Sequence, residues 1–227
     1  MTASEARALA RGTGIKAHDH VLDLCCGAGG LTCHLAEATG GEFLGVDRSP
    51  GAIRLARSDA LARQTDRYAK FLIADATRLP LSGPFDAALL FETMLAVQDK
   101  ATLLDEIHRV LRPRARFGLT LEEGIPLEGA GRRTVGHLRA VWLIPGETFA
   151  ALAKAHGFHL VWQEDHTSQH AAVAMRLLDA YERHRMEIAR LIGSAPCERL
   201  ITDHRLWVRW LTNGRVRKLA LVVERGT

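Results

Sequence analysis

The first half of the chain alternates short hydrophobic runs with longer amphipathic stretches. The hydrophobic runs read HVLDLCC, EFLGVD, KFLIAD, FDAALLF and RFGLTLE, and their length and aliphatic content are typical of β-strands. Between them, apolar residues recur at helical spacing in segments 31–38, 50–63 and 102–111. Strands that alternate with helices predict βαβ units, and therefore a mostly parallel sheet with helices on both faces.

This rhythm changes after Leu121. A loop-rich stretch, 122–146, leads to a helical pattern over 147–155 and then to a sixth strand, FHLVWQED. A helical block over 168–213 separates that strand from a last one, RKLALVVER. The sequence contains no internal repeat and no linker between domains. We therefore expect a single domain over residues 1–227.

Composition narrows the class of protein. The chain has 227 residues, of which 47% are hydrophobic and 25% charged, as in one globular domain with a sizeable core. The net charge of +4 is a weak indication of a nucleic-acid partner, because acidic residues are mixed among the arginines. No apolar run is long enough for a membrane span or a secretory signal, so we expect a cytoplasmic protein with no membrane partner.

The spacing of the cysteines and histidines does not predict a metal site. The four cysteines follow neither a disulfide framework nor the CxxC spacing of zinc sites. His166 and His170 have metal-like spacing beside Asp165, but a clear third ligand is missing. We therefore expect no metal, and we interpret the adjacent thiols of Cys25 and Cys26 as packing groups rather than nucleophiles.

The stretch VLDLCCGAGGLTCHLA is the strongest binding signal. Glycines at 27, 29 and 30 follow a strand, where they allow a ligand to touch the backbone, and the next helix offers free N–H groups at its start. This arrangement suits a nucleotide-like ligand at the carboxyl end of the sheet. The third glycine of a dinucleotide fingerprint would fall at Thr32, which counts against a nicotinamide-dependent oxidoreductase.

Acidic residues follow the next strands and define the ligand further. Asp47 ends the second strand, where its carboxylate can accept hydrogen bonds from both ribose hydroxyls. Asp75 ends the third strand, where it suits an adenine amino group with the Ala76 N–H beside it, and Glu92 lies just past the fourth. With no basic residue in the glycine loop, these acids favour a cationic amino-acid nucleoside, and S-adenosylmethionine is such a ligand.

At these residues the chain resembles the class I S-adenosylmethionine-dependent methyltransferases. The motifs VLDLCCGAGG, GVDRSPGAIRLAR, ADATRLPL, FDAALL and LLDEIHRVLRPRARFGLTLEEG occur in the family's order and spacing. The resemblance implies an α/β, Rossmann-like seven-stranded sheet flanked by helices, with an antiparallel last strand at 218–224 and a helical lid inserted before it. It implies these cofactor-binding residues: Asp23, Cys25, Gly27, Gly29, Asp47, Arg48, Asp75, Ala76 and Phe91.

Three departures from the family affect this expectation. Cys25 stands where the family commonly has glycine, and RPRAR replaces the usual Pro-Gly-Gly after the fourth helix. Fewer than two dozen residues precede the first strand, where many relatives carry a longer segment that closes over the substrate. We therefore expect a cofactor-binding half at about 17–121, and acceptor-binding lid elements at about 122–146 and 168–214.

The helical block supplies candidates for the acceptor side. Two stripes at helical spacing point inward: Leu200, Ile201, His204, Trp207, Val208 and Leu211 in one helix, and His170, Leu177, Tyr181, His184 and Ile188 in the helix before it. An inward imidazole is commonly a satisfied core group, but it can also serve as a general base. The candidate catalytic residues are His204, His170 and His137, with Glu92 beside the expected methyl position. The candidate acceptor-binding residues are Trp142, Tyr181 and Trp207, whose rings would cover an apolar molecule.

The predicted function is S-adenosylmethionine-dependent methyl transfer to a small-molecule acceptor, on nitrogen or oxygen, in specialised metabolite biosynthesis. S-adenosylhomocysteine would be the product, and the enzyme would act as a monomer or homodimer without a nucleic-acid partner. One alternative keeps the cofactor and fold but catalyses a cyclisation or elimination. Another is an RNA or protein methyltransferase, which would require a broad basic face or an added recognition domain.

Overall fold

A seven-stranded sheet forms the centre of the computed structural model, which describes residues 3–127 and 141–227. The strands are β1 (His20–Leu24), β2 (Glu42–Asp47), β3 (Ala69–Ile73), β4 (Phe85–Leu90), β5 (Leu111–Gly124), β6 (Phe158–Asp165) and β7 (Val216–Arg225). Their order is β3-β2-β1-β4-β5-β7-β6. Strands β1 to β5 are parallel, and β7 is antiparallel to both β5 and β6. The predicted fold class and antiparallel last strand are confirmed.

Helices cover both faces of the sheet. One face carries α1 (Ala3–Thr13), α2 (Gly30–Thr39) and α3 (Pro50–Ala62), and the other carries α4 (Lys100–Val110) and α5 (Gly146–Ala155). Alternating side chains of β1 divide between the two layers: Val21 packs under the first three helices, whereas Leu22 and Leu24 pack toward α4. The central strands are therefore buried on both sides, as their hydrophobic runs require, whereas the edge strand β6 is largely exposed.

Three helices inserted between β6 and β7 lie at the edge where the parallel strands end. They are α6 (Thr167–Arg183), α7 (Arg185–Ile192) and α8 (Ser194–Thr212). Because β7 is antiparallel, its first residue, Val216, pairs with Gly124 at the end of β5. A separate apolar cluster joins the insertion to this edge, comprising Leu127, Val141, Leu143, Ala171, Ala174, Trp210, Leu211 and Val216.

The two ends of this insertion meet at one residue of β7. The amide of Lys218 donates to Thr167 Oγ1 at 2.9 Å, and the amide of His166 donates to the Lys218 carbonyl at 2.8 Å. The first turn of α6 is thus attached to the beginning of β7. The insertion leaves and re-enters the sheet at neighbouring points.

The helical block differs in detail from its prediction. The helices break at His184 and at Gly193, whose φ of 90° suits glycine. Helix α6 stops at Arg183, and His184 is exposed. Leu177, within the helix, is 39% exposed. The predicted inward stripe of this helix therefore does not form. The buried positions of α6 are the small residues Ala171 and Ala174. In none of the described helices do length and apolar character together reach what a membrane span requires.

Two further local features depart from the sequence analysis. Helix α1 was not predicted, yet Ala6, Leu9 and Ala10 are buried against the sheet at helical spacing. The RPRAR segment forms no separate turn, because β5 begins at Leu111 directly after α4. Arg114 takes a φ of 63° there, and the pairing of β4 with β5 shifts register between Phe85 and Ala87.

Candidate active site

The loop after β1 combines tight packing on one side with open space on the other. Gly29 has a φ of 76°, and a Cβ built there would lie 2.7 Å from the Phe71 ring and 2.8 Å from Ala56 Cβ. Gly27 has a φ of 56°, and a Cβ built there would meet nothing within 4 Å. Gly29 is therefore required by packing, whereas Gly27 leaves backbone accessible from the open side. Cys25, with a φ of 55°, takes the left-handed conformation expected at the family's usual glycine.

Asp47 ties this loop to the end of β2. Its Oδ2 accepts a hydrogen bond from the Gly27 amide at 3.0 Å, and its Oδ1 accepts one from the Ser49 amide at 2.8 Å. A carboxylate has about four lone-pair positions, so capacity remains for two hydroxyl donors. The half-buried Asp47 side chain is therefore held in a fixed orientation beside Gly27.

Asp23 is the buried acid of the site. It is 2% exposed, and its Oδ2 accepts a hydrogen bond from Thr32 Oγ1. Burial raises the pKa of Asp23 to about 7, an effect that the Thr32 hydrogen bond partly offsets and the nearby Asp47 charge reinforces. Thr32, the residue that interrupts the dinucleotide fingerprint, is thus the residue that holds Asp23 in place.

The two adjacent thiols are protonated in this setting. Burial, with Asp47 and Asp23 nearby, raises the pKa of Cys25 to about 12. Burial and the same two acids also raise the pKa of Cys26 well above its ordinary value. A protonated thiol is a poor nucleophile, so the structure supports packing roles for both side chains.

The end of β3 supplies the next predicted group. Asp75 is exposed, and its Oδ1 accepts hydrogen bonds from the Thr77 amide at 2.8 Å and from Thr77 Oγ1 at 2.7 Å. These hydrogen bonds lower the pKa of Asp75, to which the Arg48 guanidinium also contributes. Asp75 therefore caps its own turn, next to the buried Ala76. Its adenine-binding role stays a prediction.

Glu92 lies beside the glycine loop at the end of β4. The pairing of Leu24 with Leu90 places the residues after β1 and β4 next to each other. Glu92 has a φ of 55°, its amide donates to Thr120 Oγ1 at 2.7 Å, and its Oε1 lies 2.6 Å from Lys218 Nζ. Burial is the largest single influence and raises the pKa of Glu92, but the charge and hydrogen bond of Lys218 act together with other nearby positive groups and leave the pKa lowered. Its neighbour Phe91 is 7% exposed and packs in the core under α1.

The candidate histidines have different surroundings. Burial, together with the positive charge of Lys218, lowers the pKa of the half-buried His170 to about 4, so its ring is neutral at pH 7. His204 Nε2 donates to the Ala174 carbonyl at 3.0 Å, and its ring contacts Tyr181 edge-to-face at 5.3 Å between centroids. Burial also lowers the pKa of His204. These contacts give His204 a packing role between α6 and α8, and His137 lies outside the described residues.

Comparison with known proteins identifies the domain. Residues 15–126 match the family described as "Methyltransferase domain". Residues 15–126 therefore form a methyltransferase domain. It is 36% identical over 110 residues to 2-phytyl-1,4-naphtoquinone methyltransferase of Trichormus variabilis, covering 47% of this chain and 48% of the relative. The chain thus spans about half the length of this curated relative.

Solved structures show the same fold over nearly all of the chain. The [4+2]-cyclase SpnF has a TM-score of 0.87 at 20% identity, covering 99% of this chain and 82% of that one. Phosphoethanolamine N-methyltransferase 2 of Haemonchus contortus, in complex with S-adenosyl-L-methionine, has a TM-score of 0.83 at 18% identity, covering 99% and 53%. At these identities the likeness establishes the fold alone.

The region under the helical insertion contains two of the three aromatic residues predicted to bind the acceptor, a role that stays a prediction. The amide of Trp142 donates to the Leu95 carbonyl at 2.7 Å, and Leu95 and Trp207 both pack against the apolar cluster under the insertion. Trp207 also contacts Trp210, with 6.2 Å between ring centroids. The ring of Tyr181 contacts His204.

Two buried lysines, Lys100 and Lys218, were not predicted from the sequence. Lys100 is 6% exposed, and its Nζ donates to the carbonyls of Val97 at 2.6 Å and Trp142 at 2.8 Å. Lys218 is 2% exposed and forms ion pairs with Glu92 and Glu122. The sequence signal for their burial was a lysine at an otherwise apolar position, in the helical pattern of α4 for Lys100 and in the strand pattern of β7 for Lys218. In the described part of the chain, no three His, Cys, Asp or Glu side chains form a group that could hold a metal ion.

Proposed function

We propose that this chain is an S-adenosylmethionine-dependent methyltransferase that acts on nitrogen or oxygen of a small-molecule acceptor. The observation that carries the proposal is the junction of the glycine loop with Asp47. There, a fixed carboxylate lies 3.0 Å from the Gly27 amide, and the open side of Gly27 leaves room for a ligand. The sequence relationship to a 2-phytyl-1,4-naphtoquinone methyltransferase supports a small-molecule acceptor.

The residues present fit this cofactor. Asp47 would hold the ribose hydroxyls, because its two amide contacts orient the carboxylate and leave lone pairs unused. Asp23 would face the methionine part, and Asp75 with Ala76 the adenine. A Cβ at position 27 would project into the space that the nucleoside would occupy. The acids also suit a positively charged ligand better than a pyrophosphate.

The proposed reaction requires the protein mainly to position its reactants. S-adenosylmethionine supplies a methyl group that is already activated by its sulfonium, so the chain must orient the acceptor and exclude water. At pH 7 the low pKa values leave Glu92 ionised and His170 neutral. Both are weak bases, whereas efficient general bases titrate near the working pH. This pair therefore suits an acceptor with an available lone pair, such as a neutral amine or an acidic hydroxyl.

A second candidate function is a reaction without methyl transfer on the same fold. It is favoured by the likeness to the [4+2]-cyclase SpnF, which extends over 99% of this chain. Glu92 and His170, which are weak bases, suit such a reaction equally well. The two functions differ in one product, because only methyl transfer releases S-adenosylhomocysteine.

Calorimetry followed by a turnover assay tests the proposal. We expect S-adenosylmethionine and S-adenosylhomocysteine to bind with micromolar dissociation constants and NAD not to bind. A panel of small aromatic amines and phenols is then incubated with the protein and cofactor, with mass spectrometry of both products. Failure of both sulfur nucleosides to bind to folded protein contradicts the cofactor assignment. Binding without S-adenosylhomocysteine formation on any acceptor favours the second function.

A further inference from the structure

Lys100 is a buried cation that the proposed chemistry does not use. It is 6% exposed, and its Nζ donates to the carbonyls of Val97 at 2.6 Å and Trp142 at 2.8 Å. Burial lowers the pKa of Lys100 to about 8, an effect that Glu122 opposes, so the ammonium form prevails at pH 7. Two of the three donors of this ammonium are thus directed at backbone carbonyls from distant parts of the sequence.

Stability alone gives no reason for a lysine at this position. Lys100 is the first residue of α4, and the positive end of a helix dipole is unfavourable for a cation. Taking an ammonium out of water costs free energy, which an unbranched apolar side chain of similar length would avoid. The two hydrogen bonds to carbonyls are therefore the property that distinguishes lysine from methionine here.

The two segments that Lys100 joins, 94–97 and 141–144, also contact each other directly. The Trp142 amide donates to the Leu95 carbonyl at 2.7 Å. Because the Trp142 carbonyl accepts from Lys100, both backbone groups of Trp142 are held by the part of the chain that follows β4. We call segments 94–97 and 141–144 together the partition.

The partition lies between two apolar clusters. Met94 and Ile144 pack with the core cluster on the α4 side of the sheet. Leu95 and Leu143 pack with the cluster under the helical insertion, which includes residues of α6 and α8. The partition is also attached to the sheet, because the Gly124 amide at the end of β5 donates to the Ile144 carbonyl at 3.2 Å. It is therefore the layer on which the inserted helices rest.

We propose that Lys100 is a positioning residue, which fixes the partition and through it the place of the helical insertion on the acceptor side. The inference rests on the proposed function and deepens it, because the insertion is where we expect the acceptor to bind. Lys100 acts through the backbone of segment 141–144 and would touch neither ligand. Both carbonyls that it binds lie outside the glycine loop and the Asp47 junction, so the cofactor site should not depend on it.

Amide hydrogen exchange of the full chain at pH 7, followed by mass spectrometry, tests the inference. The wild type is compared with Lys100→Met, which keeps an unbranched side chain of similar length but has no donors. Peptides covering 141–146 report on the partition, and peptides covering β1 and β2 report on the cofactor-binding half. Lys70→Met is the matched control, because Lys70 is exposed on β3.

We expect Lys100→Met to accelerate exchange in 141–146 by about 10- to 100-fold, as for the loss of hydrogen bonds to a charged group. Exchange in β1 and β2 should not change, and Lys100→Arg, which keeps charged donors, should restore most of the protection in 141–146. Wild-type exchange in 141–146 of Lys100→Met would make Lys100 a space-filling residue and overturn the inference. Equal acceleration in β1 and β2 would reduce its role to global stability and also overturn it.

A turnover measurement tests the link to the acceptor. With an amine or phenol that the wild type methylates, Lys100→Met should lower kcat/KM for the acceptor by about tenfold or more, because a small misplacement of the reactants is costly. The dissociation constant of S-adenosylmethionine should stay unchanged, and Lys70→Met should behave like the wild type in both measurements. An unchanged kcat/KM despite faster exchange in 141–146 overturns the link between the partition and the acceptor.

Folding is controlled separately. If circular dichroism shows that Lys100→Met does not fold, Lys100→Gln replaces it. The glutamine amide is a donor but is too short to reach both carbonyls, so exchange in 141–146 should still accelerate, by a smaller factor. Unchanged exchange in folded Lys100→Gln overturns the inference. Failure of the wild type to bind S-adenosylmethionine and S-adenosylhomocysteine refutes the proposed function instead, and the exchange data still decide whether Lys100 fixes the partition.

Discussion

Asp23 and Asp47 are both acids of the glycine-loop region, but their surroundings give them different properties. Asp47 is half-buried and accepts hydrogen bonds from two backbone amides, whereas Asp23 is fully buried and accepts one hydrogen bond from the Thr32 hydroxyl. The hydrophobic pattern placed Asp47 correctly at the end of β2 and Asp23 within β1. It could not show that Thr32 turns back onto Asp23, since that contact depends on how α2 packs against β1.

Replacing Asp47 with alanine should weaken binding of both S-adenosylmethionine and S-adenosylhomocysteine about 10- to 100-fold. The variant loses two ribose hydrogen bonds to a charged group, each worth about 1.5 to 3 kcal/mol, and some of this is recovered by water. Calorimetry measures the change. Asp59→Ala is the matched control, because Asp59 pairs only with Arg63 on the surface of α3 in the described contacts. Equal affinities for the two variants would contradict the ribose assignment.

Asp23→Asn should change the pH dependence of stability. The native carboxyl, with a pKa of about 7, holds its proton to higher pH than an unfolded aspartate, so its contribution to stability falls as pH rises from about 4 to 7. Asparagine does not titrate, so the variant does not show this decrease in stability with rising pH. Its unfolding free energy relative to the wild type should therefore rise by a few kcal/mol between pH 5 and pH 8, at about 1.4 kcal/mol per pKa unit. Urea titrations at both pH values measure it, and a constant difference would refute it.

At the scale of elements, hydrophobic periodicity predicted all seven strands and most helices. It did not predict α1, whose apolar residues do recur at helical spacing but whose buried face consists largely of alanine, so that the segment is polar on average. The hydrophobic pattern also did not predict the conformation of the RPRAR segment, because Arg114 adopts a positive φ, which is unusual for arginine. The breaks at His184 and Gly193 depend on tertiary packing, which a single helical stripe does not encode.

Two glycines of one loop should respond differently to alanine. Gly29→Ala drives a Cβ into Phe71 and Ala56, so it should destabilise the fold by about 1 to 3 kcal/mol beyond the cost of its positive φ. Gly27→Ala meets no protein atom and should cost only about 1 kcal/mol, yet it should abolish cofactor binding. Chemical denaturation and calorimetry on both variants test this pair. Normal cofactor affinity in Gly27→Ala would place the ligand elsewhere.

At the scale of the whole molecule, the antiparallel β7 determines where the helical insertion lies. The sequence predicted that an insertion exists, but its attachment at the carboxyl edge follows from the pairing of Val216 with Gly124. Sequence periodicity cannot show a cross-strand partner some 90 residues away. The same limit explains why the ion pairs of Lys218 with Glu92 and Glu122 were not predicted: the three residues come from three separate strands or strand ends.

Cofactor binding should stabilise the whole domain. A ligand at about 100 times its dissociation constant adds about 2.7 kcal/mol to the unfolding free energy. For a chain of this size, that corresponds to a rise in Tm of about 5 to 10 °C. Thermal unfolding with S-adenosylhomocysteine, and with NAD as the control, measures the effect. A similar rise with NAD would contradict a site specific for the sulfur nucleoside.

The attachment of both ends of the helical insertion to Lys218 has a consequence for evolution and engineering. Because Thr167 and Lys218 are joined by one hydrogen bond, the 50 or so residues between them form an almost closed loop on the sheet. Such a loop can be exchanged as a cassette without altering the register of β6 or β7. Under the proposed function, new acceptor preferences would arise by replacing this cassette, while the cofactor-binding half of the domain would be inherited unchanged.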